Sequence, residues 1–259
     1  MGKKMVDLSG KWALVTGASR GIGKVTALSL AAQGCNLVLH SRSLESLREL
    51  RETIEKRGNK VFLIAQDFTE PEAVERVFEK LENQGILIDI LVNNAGVNLS
   101  IDREMEGIAS DFDTWTQKEC EITVRVNVVA PLLLSSRAAA QMRARGFGRI
   151  LNLTSDIHGA GDHLAYSVSK GAVDKLTRDL AEIMEGSGVA VCGVEPGWCQ
   201  TFLGGAKATC SAENTSPGML VPICMEHGAN GKVFHAQDYA GMALEEAVAR
   251  AEAKYCFLK

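Results

Sequence analysis

Apolar residues along this chain gather into short, nearly unbroken runs, separated by longer stretches in which they recur every three or four positions. The runs are WALVT (12–16), NLVLH (36–40), KVFLIA (60–65), IDILVN (88–93), GRILNLT (148–154), VAVCGVE (189–195) and GKVFHA (231–236). Their length and Val/Ile/Leu content predict strands, and the lack of strict alternation predicts strands covered on both faces. Helical spacing falls at 22–33, 43–57, 71–83, 115–145 and 165–185. Strands joined through helices run parallel, so the expected fold is α/β: one doubly wound domain over residues 1–259, with a parallel sheet of about seven strands flanked by helices. The glycine- and proline-containing stretch 197–230 reads as a loop-like lid, and the alanine- and glutamate-rich stretch 239–255 as a C-terminal helical tail.

Composition narrows the function classes. The 259 residues are 46% hydrophobic and 23% charged with a net charge of −4, which gives no electrostatic footprint for nucleic acid or an anionic membrane. Seven scattered cysteines form no C-x-x-C pair. With no apolar segment behind the lysines of MGKKMVDLSGK, they are expected as reduced thiols in a soluble, cytoplasmic protein. No His/Cys/Asp group has metal-ligand spacing along the chain, so no metal is expected.

The first run leads into TGASRGIGK (16–24) and then into a helix. Glycines at a strand-to-helix turn let a dinucleotide's phosphates approach backbone N–H groups at a helix N-terminus. An acid at the end of the second strand would bond the ribose hydroxyls of NAD(H) and repel a 2′-phosphate. Here that strand ends in LVLHSRS, with Ser41 and Arg42 where such an acid would stand, and Arg20 adds a second cation in the turn. Two guanidinium groups and a hydroxyl match a phosphate, which favours NADP(H) over NAD(H).

These residues, with QDFT (66–69), NNAG (93–96), Asn127 in VRVNVVA, Ser155 in NLTSD, Tyr166 and Lys170 in AYSVSK, and PGWCQT (196–201), occur in one order. That order resembles the short-chain dehydrogenase/reductase family over about residues 8–201. The resemblance implies a Rossmann-type fold and an NADP(H)-dependent oxidoreductase that interconverts a ketone or aldehyde with an alcohol. It implies cofactor contacts from Gly17, Ser19, Arg20, Gly21, Ile22 and Gly23 in the turn, and from Ser41 and Arg42 after it. Further contacts are implied from Asp67, Phe68, Asn94, Ala95, Gly96, Tyr166, Lys170, Pro196, Gly197 and Thr201.

The same resemblance assigns the chemistry. Tyr166 is the general acid for reduction and the base in reverse. Its phenol must fall from a pKa of about 10 toward neutrality, helped by Lys170 one helical turn on. Ser155 bonds the substrate oxygen, Lys170 also bonds the nicotinamide ribose, and Asn127 holds a water that links Lys170 to solvent. Ten residues separate Ser155 from Tyr166, slightly fewer than the family pattern, which makes Thr154 the neighbouring alternative. The lid looks closest to the carbonyl-reductase-like branch.

His158 and His163 read as loop or pocket residues, and Trp198 as a pocket wall or a packing residue. The expected partners are a small carbonyl or alcohol substrate and further copies of the chain, as a homodimer or homotetramer through helices 115–145 and 165–185, with neither nucleic acid nor membrane. Two other functions stand beside this one. A 3-oxoacyl-[acyl-carrier-protein] reductase would use Arg143, Arg145 and Arg149 as a docking face. A non-catalytic dinucleotide-sensing protein would lack the tyrosine or the lysine, and both are present.

Overall fold

The computed structural model describes residues 5–101, 114–157, 163–205 and 207–256. Seven parallel strands form one sheet: β1 (Trp12–Val15), β2 (Asn36–Ser41), β3 (Val61–Ala65), β4 (Ile90–Asn93), β5 (Gly148–Leu153), β6 (Val189–Glu195) and, after a two-stranded ribbon of β7 (Cys199–Gln200) and β8 (Cys210–Ser211), β9 (Val233–His235). The order is β3-β2-β1-β4-β5-β6-β9, and the connections reverse direction between β1 and β4. That switch point opens a crevice at the carboxyl ends of the strands, where such sheets bind ligands. Leu14, Val38, Leu91 and Ile150 are wholly buried on one face, and Val15, Leu39, Val92 and Leu151 on the other. This double coverage is why the runs do not alternate with polar residues.

Helices α1 (Gly21–Ala32), α2 (Arg48–Glu55) and α3 (Ala73–Asn83) cross between the first strands. The long helix α4 (Gln117–Arg145) opens with a capping box, in which Thr116 and Glu119 bond each other's backbone N–H groups. It passes through a π turn at Arg125–Val129 and ends at Gly146 in the left-handed region, φ 70°. Among the described residues α4 is the one helix long and apolar enough to cross a membrane; half of its most apolar window is buried within the protein. Helix α5 (Leu164–Ile183) carries the tyrosine and lysine.

The stretch 197–230, expected to be loop-like, is not irregular throughout. Residues Ser216–Cys224 form helix α6, with Gly218 through Cys224 all buried. The prolines that suggested a loop are accommodated: Pro217 lies in the first turn, where its missing N–H costs nothing, and Pro222 sits two residues from the end. Gly218 serves contact rather than bending, since a Cβ there would lie 2.3 Å from the Cα of Ala236. Arg149 secures the helix end, donating to the carbonyls of Ile223 at 3.3 Å and Met225 at 3.2 Å. The tail, helix α7 (Leu244–Tyr255), buries Ala247, Val248 and Ala251, and Tyr255 packs on Phe234 with ring centroids 4.7 Å apart.

Candidate active site

At the cofactor end the backbone sets the geometry. Gly17 and Gly21 take φ of 66° and 54°, left-handed conformations that side chains resist. A Cβ on Gly23 would lie 2.4 Å from both the Gly17 carbonyl oxygen and Asn94 Nδ2. Asn94 ties the turn after β4 to the turn after β1, its Nδ2 donating to Thr16 O at 2.7 Å and Gly17 O at 3.1 Å. Helix α1 begins at Gly21 with no side-chain cap, because Arg20, the residue before it, has no side-chain acceptor. The first N–H groups of the helix are thus available to an anion. Glycines that clear the approach and uncapped N–H groups fit a dinucleotide's pyrophosphate.

Ser19 and Ile22 lie half-buried on this turn, as do Ala95 and Gly96 after β4 and Pro196 and Gly197 after β6. Thr201, just after β7, meets it; a Cβ on Gly21 would lie 3.0 Å from its methyl. Arg20 and Arg42 are exposed, and Arg20 stacks over Phe202 at 4.3 Å. The Ser41 hydroxyl, expected to face a phosphate, is turned inward: it donates to Ser43 O at 2.6 Å and lies 2.8 Å from Ser46 Oγ. Asp67 Oδ1 accepts from the Thr69 N–H and hydroxyl, each at 2.8 Å.

His40, which sequence reasoning treated only as a strand end, is the strut of this region. Its Nδ1 accepts from the Gly17 N–H at 3.3 Å, and its Nε2, 2.9 Å from Gln66 O, carries the proton that bonds that carbonyl. The ring stacks on Phe68 with centroids 4.2 Å apart. Burial pushes its pKa down to about 4, so it is neutral at physiological pH.

At the chemical end, Tyr166 and Lys170 sit one turn apart on α5, with Lys170 Nζ 5.6 Å from the tyrosine ring centroid. Buried Lys170 donates to Leu153 O at 2.8 Å, and burial pushes its pKa down to about 8. The Ser155 hydroxyl bonds Tyr166, whereas Thr154 is buried with its methyl toward Gly193. The Thr154 hydroxyl is itself fully buried, so of the two neighbours Ser155 is the one placed to meet a ligand in the crevice.

The tyrosine's acidity departs from expectation. Burial, first, and the nearby Glu195 carboxylate push its pKa up to about 12, against the lowering effect of the Ser155 hydrogen bond. The protein alone therefore holds Tyr166 as a phenol, a proton donor. Asn127 lies in the π turn, and both ends of its amide are engaged: Oδ1 accepts from Val97 N–H, and Nδ2 donates to Val97 O and Ser169 Oγ, at 2.9–3.0 Å. Its side chain braces the loop after β4 against α5.

His163 Nδ1 lies 3.4 Å from Asn98 Nδ2, and His158 falls outside the described residues. Trp198 is exposed, its indole N–H donating to Gly204 O at 2.8 Å. Cys199 is buried and its thiol pushed up to about 11. Of the three arginines of the expected docking face, Arg149 is buried, Arg145 bonds Ile88 O and pairs with Asp89 at 3.2 Å, and Arg143 is exposed. One group of potential metal ligands is brought together that chain spacing did not show, Asp156, Glu195 and His235.

Residues 11–210 match the family model described as short chain dehydrogenase. The chain belongs to the short-chain dehydrogenase family. Its members are NAD(P)-dependent oxidoreductases of CH–OH and C=O groups, and that chemistry extends to this chain. A relative from Bacillus subtilis (strain 168), 2-dehydro-3-deoxy-D-gluconate 5-dehydrogenase, is 36% identical over 75% of this chain and 73% of its own length. A short chain dehydrogenase from Burkholderia cenocepacia J2315 in complex with NADP has a TM-score of 0.75 at 29% identity, covering 89% of this chain and 97% of the other. A blue fluorescent protein from a metagenomic library, in complex with NADPH, has a TM-score of 0.78 at 28% identity, covering 89% and 97%.

Proposed function

We propose that this protein interconverts a ketone or aldehyde with an alcohol using NADP(H), with Tyr166 as the proton-transferring group. The observation that carries this is the meeting of Tyr166, Ser155 and buried Lys170 at the carboxyl ends of β5 and β6, beside the glycine turn. When bound, the nicotinamide donates or accepts the hydride. Ser155 donates to the carbonyl oxygen and stabilises the charge that develops there. Tyr166 gives its proton to the same oxygen in reduction and takes it back in oxidation. Lys170, held by Leu153 O, orients the ribose and favours the phenolate when oxidation requires it. Arg20 and Arg42, the exposed cations near the turn, together with the NADP and NADPH of solved relatives, support NADP(H).

The protein acts as a homodimer or homotetramer. Exposed Val124, Leu132 and Leu133 on α4, with Leu164 and Val168 on α5, form the apolar surface that supports this reading. A carrier-protein reductase is less well supported, because two of the three proposed docking arginines are engaged within the protein, Arg149 with internal carbonyls and Arg145 with Asp89. The test is NADPH oxidation over a panel of ketones and aldehydes, with Tyr166→Phe as the control. The variant is expected to lose about 10²–10⁴-fold in kcat while binding NADPH normally. Turnover that survives the change would refute the role of Tyr166.

A further inference from the structure

Beside the proton-handling groups, the ends of three neighbouring strands assemble a charged cluster that the proposed reaction does not use. Asp156 follows Ser155 beyond β5, Glu195 ends β6, and His235 ends β9 directly opposite Glu195 in register. His235 Nδ1 lies 3.3 Å from Asp156 Oδ2 and 3.8 Å from Glu195 Oε2. The other Glu195 oxygen accepts the Gly197 N–H at 2.8 Å, fixing the carboxylate beside the Pro196–Gly197 turn. The side chains of Asp156 and His235 are 59% and 45% exposed and that of Glu195 is 15% exposed, so the cluster fronts solvent at the mouth of the crevice.

Two carboxylates share one imidazole, so even a protonated His235 leaves the cluster net negative. The charged groups that act on Glu195 are Asp156 and His235. The field also reaches the reacting end, since Glu195 is the charged group that perturbs Tyr166. A substrate carbonyl bonded to Ser155 and Tyr166 places its remaining atoms within that same field. A substrate carboxylate there meets like charge in a partly desolvated site, whereas hydroxyl or amide N–H groups meet acceptors.

We infer that Asp156 and Glu195 are specificity-determining residues that select neutral, hydrogen-bond-donating carbonyl compounds and discriminate against keto acids. This rests on the carbonyl–alcohol reading above. It separates the chain from the Bacillus subtilis relative, whose name specifies a sugar acid.

The test pairs keto acids with their primary amides, which match in shape and differ in charge: pyruvate, levulinate and 5-keto-D-gluconate against pyruvamide, levulinamide and 5-keto-D-gluconamide, with NADPH. Expected is a kcat/KM ratio of amide to acid of about tenfold or more in at least one pair, equivalent to ~1.4 kcal/mol. In the double variant Asp156→Asn, Glu195→Gln that ratio should fall to about threefold or less, because the acids lose a repulsion that the amides never met. Acids turned over as well as amides by the unmodified enzyme, or a ratio indifferent to the double variant, would overturn the inference and leave the reductase reading standing. NADPH binding without turnover of any of the six compounds, or of the wider ketone panel, would overturn the reductase reading and this one with it.

Discussion

The turn after β1 and the strand ends around Ser155 lie on the same edge of one sheet, yet they are held in shape by different means. The first is a backbone construction, with glycines in conformations and clearances that side chains would destroy, locked by Asn94 and propped by His40. The second is a side-chain construction. Ser155, Tyr166, Lys170, Glu195 and His235 come from β5, α5, β6 and β9 and act through charge, burial and hydrogen bonds. Phosphate recognition needs N–H groups at fixed positions, which backbone supplies cheaply. Proton transfer needs tuned acidity, which only surroundings supply. Damage at the two ends should therefore differ in kind.

Gly23→Ala should give the largest effect at the cofactor end. Its new methyl would lie 2.4 Å from the Gly17 carbonyl and the Asn94 amide, so the turn must deform. Overpacking of this kind costs about 1–3 kcal/mol of stability, and NADPH affinity is expected to fall by about a hundredfold as the helix N–H groups lose their aim. Fluorescence titration of NADPH and thermal melting check both. Ser155→Ala should do the reverse: kcat lower by about 10²–10³-fold, with NADPH affinity and melting temperature close to those of the unmodified protein. Equal loss of cofactor affinity in the two variants would erase the distinction.

How much of each end was legible in the sequence follows from the same difference. The glycine turn could be read because its requirement is local: strand, glycines and helix are consecutive. The seven strands could be read because double coverage writes itself as unbroken apolar runs. Tyr166 and Lys170 could be paired because one helical turn separates them. The upward displacement of Tyr166 could not be read, because burial and Glu195 are properties of the assembled site. The Asp156–Glu195–His235 cluster was hidden for the same reason, its members being joined only by strand register. Helix α6 was misread because Gly218 and Pro222 look like turn residues, while the close approach of Ala236 that explains Gly218 is a tertiary fact. Arg149 looked like surface charge until the fold brought the end of α6 to it.

His40 gives a pH test confined to the cofactor end. In the folded protein its pKa is about 4; in an unfolded chain it is about 6.5. Between these values the unfolded state binds the extra proton, so stability rises with pH over that window. The contribution is fully present above about pH 6.5 and is lost as pH falls toward 4, on the order of 3 kcal/mol in all. Denaturant unfolding at pH 7, 6, 5 and 4 should show that loss, and His40→Gln should flatten it. An unchanged slope in the variant would mean that carboxylates elsewhere set the acid limb.

The smallest expected effect lies in the segment after β7. Phe202 stacks on Arg20 at 4.3 Å, and Thr201 beside it rests against Gly21, so this segment touches the cation that supports NADP(H) over NAD(H). An exposed cation–π contact is worth about 0.5–1 kcal/mol. Phe202→Ala frees the guanidinium to explore rotamers that it must abandon when it bonds a 2′-phosphate. NADPH affinity should therefore drop by about two- to fivefold, the same energy expressed as a ratio. NADH, which carries no 2′-phosphate, should bind the variant and the unmodified protein alike. Arg20→Ala should abolish that difference between the cofactors in the variant, because Phe202 then has no guanidinium to orient. If Phe202→Ala weakens NADPH and NADH equally, the aromatic ring acts by packing its segment on the turn, and its effect is steric rather than routed through Arg20.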